Sequence, residues 1–146
     1  SDFIKNCLVN EKDDTIIVYL QPTSPFRNSK HIDDSIDLFI KKKFRILLSV
    51  TENKSFYKSF KKNKGFLNPF FKDTFVTKNR QNLKKIYSPN GAIYIFYSKD
   101  FMQKKRLSFI KSGYYIMNKI DSIDIDSKED YVLAKYLSKK YLKIKK

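Results

Sequence analysis

The sequence predicts an α/β domain: a parallel sheet with helices on both faces. "TIIVYL" (Thr15 to Leu20) and "RILLSV" (Arg45 to Val50) are apolar, β-branched runs of the kind that make strands covered on both sides. Between them, Ile32, Ile36, Phe39 and Ile40 recur at spacings of three and four, which predicts a helix from Ser29 to about Lys42. Strand, helix and strand within about 36 residues form a βαβ unit, whose strands run parallel through a right-handed crossover. The chain has 146 residues, enough for one domain with a real core, and 41% apolar content argues against wholesale disorder.

Taken in order, Asp2 to Asn10 reads as the tail of an amphipathic helix, with Cys7 on its apolar side, and Glu11 to Asp14 as a charged turn. The first strand runs into "QPTSPFR" (Gln21 to Arg27), whose two prolines stiffen the backbone and remove donors. In the following helix Asp33 and Asp34 are expected in the first turn, and His31 near its start suits a capping or surface role better than metal ligation. After the second strand the pattern changes. Phe56, Tyr57, Phe60, Phe66, Phe70, Phe71 and Phe75 are scattered among lysines, with Gly65 and Pro69 marking turns, so hairpin-like excursions are expected from Glu52 to Asn82.

"GAIYIF" (Gly91 to Phe96) returns to strand, Ser98 caps a short helix in "SKDFMQKK", and "YYIM" (Tyr114 to Met117) is another strand. Ser122 to Asp126 alternates like a short exposed strand. Ser127 then caps a last helix, with Glu129 and Asp130 in its first turn and Val132, Leu133, Tyr136 and Leu137 facing inward. The closing "KKYLKIKK" reads as a solvated tail.

Thirty-one basic against fifteen acidic residues give a net charge of +16. That balance favours any polyanion, although frequent Lys, Ile, Asn, Phe and Tyr with few Gly and Ala also follow from AT-rich coding. One alternative function is therefore a basic nucleic-acid-binding domain, motivated by interleaved stretches such as "FYKSFKKNKGF"; no recognisable nucleic-acid module accompanies it. Cys7 is the only cysteine, so no intramolecular disulfide is possible and a reducing, cytoplasmic setting is expected. No apolar run approaches the ~20 residues of a membrane span, and no membrane association is expected.

Three segments could carry chemistry. "QPTSPFR" lies at the carboxyl end of a strand, where open α/β sheets gather ligands, and offers Gln21, Thr23, Ser24 and Arg27; the alternative is a plain strand-to-helix connection with Ser29 as cap. In "DSIDIDS" (Asp121 to Ser127), residues i and i+2 of a strand share a face, so Asp124 and Asp126 would project together. Paired carboxylates suit Mg²⁺, which takes one or two of them plus substrate phosphates; the alternative is acidic helix capping. In "YSPNGAIYIF", Asn90-Gly91 is either a turn or a place where an amide meets a ligand, and Tyr94 faces either a pocket or the core. Lys58 and Arg80 are indistinguishable by composition from their cationic neighbours.

In this order and spacing, "LQPTSPFR" (Leu20 to Arg27), "RQNL…YSPNGAIYI" (Arg80 to Ile95) and "DSIDIDSKED" (Asp121 to Asp130) resemble the acylneuraminate cytidylyltransferases, the CMP-sialic acid synthetases, over about 110 residues. The resemblance implies a nucleotidyltransferase-like (Rossmann-like) three-layer fold comprising residues 1–146 as one partial domain. It also implies transfer of CMP from CTP to the anomeric hydroxyl of a nonulosonic acid, releasing pyrophosphate. On the matching positions, Asp124 and Asp126 become the Mg²⁺ ligands, with Asp126 and Gln21 at the reacting centre. Gln21, Lys58, Arg80, Asn90, Tyr94 and Phe109 become contacts of the sugar acid. Residues 52–79 become a dimerisation excursion in a homodimer, and nucleic acid is not an expected partner.

Two positions depart from the family pattern: Ser88 stands where members often carry arginine, and Lys58 follows Phe56-Tyr57 rather than Pro-Tyr. The family's Gly- and Lys-rich phosphate loop has no counterpart in these residues, so the fold is expected to be incomplete at its N-terminus. A phosphate cradle supplies donors where leaving-group charge builds, so little or no activity is expected from the chain alone. A non-catalytic dimerising homologue is the remaining alternative.

Overall fold

The computed structural model describes residues 14–104 and 106–141, and within them not the side chains of residues 80, 104 and 141. The expected N-terminal helix with Cys7, most of the Glu11–Asp14 turn and the end of the tail lie outside the described residues. The chain runs β1 (Ile16–Tyr19), α1 (Ser29–Lys41), β2 (Ile46–Glu52), a 3₁₀ turn (Lys54–Lys58), β3 (Phe60–Asn63), β4 (Phe66–Pro69), α2 (Thr74–Thr77) and a second 3₁₀ turn (Arg80–Asn82). It continues through β5 (Tyr87–Tyr97), α3 (Ser98–Lys104), β6 (Gly113–Ile116) and α4 (Lys128–Tyr141).

The main sheet has the spatial order β1-β5-β2-β6. β2 and β6 pair parallel, and β1 and β2 both pair antiparallel with β5, so β1 and β2 run in the same direction as the βαβ pattern predicts. The two are not neighbours: β5, the longest strand, lies between them against the grain. Its direction follows from how the chain returns. Glu52 at the end of β2 pairs with Tyr87 at the start of β5, and Asn53 N–H continues the ladder to Ile86 O at 2.8 Å. The excursion is therefore an elaborated hairpin connection, and a chain re-entering the sheet at the end it left must run antiparallel.

Side chains alternate across the sheet and divide the core. Phe39 of α1 packs with Leu47, Ala92, Ile93, Ile95 and Met117 on one face, joined by the half-buried Ile16 and Val18. Ile46 and Phe96 meet Phe101 of α3 on the other, with Ile17 and Tyr19 alongside. The three-layer α/β arrangement is thus present, with α1 on one face and α3 on the other, while Tyr114 and Ile116 of the edge strand β6 stay exposed.

α1 begins with a reciprocal cap. Asn28 Oδ1 accepts the His31 N–H at 3.0 Å, and His31 Nδ1 accepts the Asn28 N–H at 3.4 Å. His31 is thus a capping residue, and its Nε2 also lies 3.4 Å from the buried Asp121. Asp33 and Asp34 fall beyond the first turn. On the helix's inner face Ser35 and Phe39 are buried, whereas Ile40 is 53% exposed, contrary to the expected stripe. The helix ends in a Schellman motif: Lys43 N–H bonds to Ile40 O and Phe44 N–H to Phe39 O, with Lys43 at φ 52°, where glycine is the usual occupant.

The hairpin expected in the excursion is present as β3–β4, joined by Lys64 and Gly65, both at positive φ as a two-residue hairpin turn demands. Ser122 to Asp126, by contrast, is loop rather than strand, with Ser122 in a turn. α4 is capped as predicted, with Ser127 Oγ accepting the Asp130 N–H and Asp130 Oδ2 accepting the Ser127 N–H at 2.9 Å. Of its expected inward residues only Leu137 is half-buried. Val132 (64%), Leu133 (48%) and Tyr136 (61%) are exposed, and the small Ala134 is the buried contact. No described helix is long and apolar enough to cross a membrane.

Candidate functional site

The site grows from a break in the β2–β5 ladder. Pairing is regular to Leu48↔Tyr94 and resumes at Val50↔Pro89, so Ser49 faces the stretch from Asn90 to Ile93. Asn90-Gly91 is therefore neither a free turn nor regular strand but a bulge within β5, of the kind that re-aims residues beside sites. Its polar groups are satisfied locally. Ser49 Oγ donates to Asn90 Oδ1 and accepts the Ile93 N–H at 2.8 Å, while Asn90 Oδ1 also accepts the Ala92 N–H at 3.2 Å. Asn90 Nδ2 donates to Ser122 Oγ at 2.9 Å, tying the bulge to the acidic loop. Asn90 is 6% exposed and its amide is committed to these bonds, so it shapes the site from beneath.

The bulge places Gly91 at φ 75°, where three segments meet. A Cβ built on Gly91 would lie 2.2 Å from Gln21 Oε1 and 3.1 Å from Asp124 Oδ2. Glycine is needed here both for its backbone angle and for the space it leaves. The loop carrying Gln21 is held at both ends: Arg27 Nη1 donates to Gln21 O and to Ala92 O, each at 2.8 Å, and Ile125 N–H donates to Thr23 O at 2.9 Å. Partial burial lowers the Arg27 pKa from its usual value, to no practical effect on its charge. Asp124 is half-buried, and its Oδ1 is buried without a hydrogen-bond partner, as is Ser24 Oγ in the loop. Asp126 is exposed, its N–H 3.3 Å from Asp130 Oδ2.

Tyr94 is half-buried beside this junction, 6.1 Å from the Tyr19 ring and 6.2 Å from Phe109, which is 47% exposed. Burial pushes the Tyr94 pKa up, and the negative charge of Asp124 adds to that. The structure thus brings Gln21, Asn90, Tyr94, Phe109 and Asp124 together, with Asp126 two residues along the same loop. Lys58 closes the 3₁₀ turn at the base of the excursion, and no hydrogen bond or ring contact joins it to the junction. Arg80 opens the second 3₁₀ turn, and its side chain is outside the described residues.

Sequence reasoning passed over the carboxyl end of β2. A polar cavity of about 380 Å³ there is lined by Thr51, Glu52, Asn53, Lys54, Ser55, Lys119 and Ser122, and Thr51 Oγ1 is buried without a partner. Ser122 belongs to both this cavity and the Asn90 network, so the two are contiguous. The strand-end rule that pointed to Gln21 points equally to Thr51.

Among the described residues no three His, Cys, Asp or Glu side chains cluster as a metal cage. The donors present, one orphaned carboxylate oxygen on Asp124 and the nearby Asp126, fit instead a Mg²⁺ ion that keeps most of its coordination for water and substrate.

No family model matches the chain. Several curated relatives bear the name N-acylneuraminate cytidylyltransferase. The one from Escherichia coli O18:K1:H7 is 34% identical over 134 residues, covering 91% of this chain and 32% of that protein. The one from Streptococcus agalactiae serotype III is 28% identical over 139 residues, covering 90% and 32% respectively. The chain spans about a third of the length of these relatives. Over that shared segment, with the α/β sheet and the three converging motifs in place, the chain is similar to the N-acylneuraminate cytidylyltransferases, as a fragment of such a longer enzyme would be.

Proposed function

We propose that this chain carries the sugar-acid and metal side of a CMP-nonulosonate synthetase site, the complete reaction being transfer of CMP from CTP to the sugar's anomeric hydroxyl with release of pyrophosphate. The observation that supports this most is the convergence at Gly91 of Gln21 and Asp124, residues from three motifs far apart in sequence. Asp124 and Asp126 would hold Mg²⁺, whose charge offsets that building on the phosphates. Gln21 supplies an amide to the sugar, and Tyr94 and Phe109 give it an apolar wall. Lys58 and Arg80 supply positive charge for the acid's carboxylate. The exposed Phe56, Phe60, Phe66, Leu67 and Phe70 of the excursion are apolar surface of the kind a second subunit covers, which supports a homodimer formed through residues 52–79.

The 146 residues contain no Gly/Lys-rich phosphate cradle, so the chain alone is expected to bind a nonulosonic acid in a Mg²⁺-dependent way but to show little or no CMP-sugar formation. Calorimetric titration with the sugar acid, with and without Mg²⁺, tests the first part, and Asp124→Asn should abolish the metal dependence. Absence of sugar-acid binding at any Mg²⁺ level would remove the site assignment. Ordinary turnover from the purified chain would overturn the expected inactivity.

A further inference from the structure

The β1–β5 ladder ends one step before the site begins, and what replaces it is a side chain. β1 and β5 pair in a constant register from Ile16↔Tyr97 to Tyr19↔Tyr94. Continued by two residues, that register sets Gln21 opposite Ala92. The Ser98 N–H bond to Thr15 O makes Gln21–Ala92 a hydrogen-bonded pair in the antiparallel alternation, but the Ala92 N–H turns back to Asn90 Oδ1 at 3.2 Å, so the ladder cannot go on unaided. The Arg27 guanidinium stands at this point. A single nitrogen, Nη1, donates to the carbonyls of both Gln21 and Ala92, the two residues the register would have paired.

Burial explains why a cation is used. Ala92 is fully buried, and a carbonyl left without a donor there would be costly. Arg27 is long enough to fold back from the far end of the loop, and its planar head brings several donors in fixed geometry. The neighbours of the two stapled carbonyls are the site itself: the Gln21 side chain reaches Gly91, the residue before Ala92, and Asp124 comes up beside them.

We propose that Arg27 is the positioning residue of this site: it splices the "QPTSPFR" loop to β5 where the backbone ladder fails, and so fixes the Gln21 side chain against Gly91 and Asp124. This deepens the reading given under the proposed function and rests on it for the identity of the site, though not for the splice.

The test compares wild type with Arg27→Met, which keeps the length and loses the donors, and Arg27→Lys, which restores a cation. Two readouts are taken on the purified chain. The first is independent of metal: nuclear Overhauser contacts between the Gln21 side-chain amide and Gly91 Hα, with hydrogen exchange of the flanking amides. The second is site-specific line broadening by Mn²⁺, a paramagnetic substitute for Mg²⁺.

In wild type the Gln21–Gly91 contact is expected, and Mn²⁺ should broaden both the Gln21 amide and residues 123–127. Arg27→Met should lose the contact, raise exchange at Ile93 and its neighbours at least tenfold, and leave broadening at 123–127 while sparing Gln21. Arg27→Lys should recover part of each effect. Unchanged contact and exchange in a folded Arg27→Met protein would overturn the proposal. If Arg27→Met does not fold, Arg27→Lys alone decides: a contact and exchange pattern identical to wild type refutes the need for the guanidinium geometry, and an intermediate one supports it. Absence of Mn²⁺ broadening in wild type would count against the metal reading alone, since the first readout is unaffected.

Discussion

Substituting Gly91 by alanine perturbs the junction in two separable ways. The backbone sits at φ 75°, where an L-residue with a Cβ is strained by about 1–2 kcal/mol. The new methyl would also meet Gln21 Oε1 at 2.2 Å, a contact that must be relieved, while Asp124 Oδ2 at 3.1 Å is merely tight. The Gln21 amide is the flexible end of a side chain and can move aside, so relief is cheap in stability but dislodges the residue proposed to meet the sugar. The expected loss for Gly91→Ala is about 1–2 kcal/mol of backbone strain plus about 0.5 kcal/mol for the displaced amide. In a domain of this size that corresponds to a melting shift of about 2–8 °C.

A double-mutant cycle with Gln21→Ala separates the parts, because removing the amide removes the clash and leaves the strain. The double mutant should be more stable than the sum of the singles by about 0.5 kcal/mol or more. Urea unfolding at two wavelengths measures each corner of the cycle. Strict additivity would refute the placement of Gln21 against Gly91, and a Gly91→Ala protein as stable as wild type would refute the left-handed bulge.

Lys43 occupies the Schellman position at φ 52°, so Lys43→Gly should stabilise the chain by about 0.5–1 kcal/mol despite glycine's greater entropy when unfolded; a lower urea midpoint would contradict this. Asn90→Ala should cost about 1–3 kcal/mol, since it leaves Ser49 and the Ala92 N–H short of partners; a neutral effect on the urea midpoint would mean that the bulge is not held from beneath. Tyr115 is raised to about 12 by burial first, then by its hydrogen bond to Asp34 at 3.2 Å and the negative charges of Asp34 and Asp121. Its folded pKa lies above the unfolded value of about 10, so the fold favours the neutral phenol. That contribution is complete below pH about 10 and is lost as pH rises through about 12. Ultraviolet titration of the phenolates should show Tyr115 and Tyr94 lagging the exposed tyrosines, and Asp34→Asn should move Tyr115 down; a single transition near 10 for all tyrosines would refute the environments described.

Much of this was legible locally. The apolar runs at Ile16 and Ile46, the three-and-four spacing in α1 and the Ser127–Asp130 cap are signals within a few residues, because backbone hydrogen bonding and side-chain period are short-range. The loop at Gln21, the pair at Asp124 and the Asn90-Gly91 step were also visible as sequence. What they do to one another was not.

The direction of β5 depended on which end of the sheet the chain re-entered after a thirty-odd-residue excursion (Asn53 to Ile86), and no local period encodes that. Periodicity likewise shows that α4 has an apolar stripe but not what meets it: Ala134 faces the domain while Val132, Leu133 and Tyr136 face out. The Ser122–Asp126 segment alternates like a strand, yet among the described residues its backbone meets the Gln21–Arg27 loop only through Ile125 N–H and Thr23 O.

The elements, and the chemical groups available to a site, are thus written in the local run of residues. Their meeting comes from the tertiary structure: a bulge in β5 opposite Ser49, a glycine turned out by it, and an arginine completing a ladder that the bulge had broken. Each of those rests on contacts between residues more than five apart, where free energy is set by packing and by the need to satisfy buried polar groups rather than by the local run of side chains.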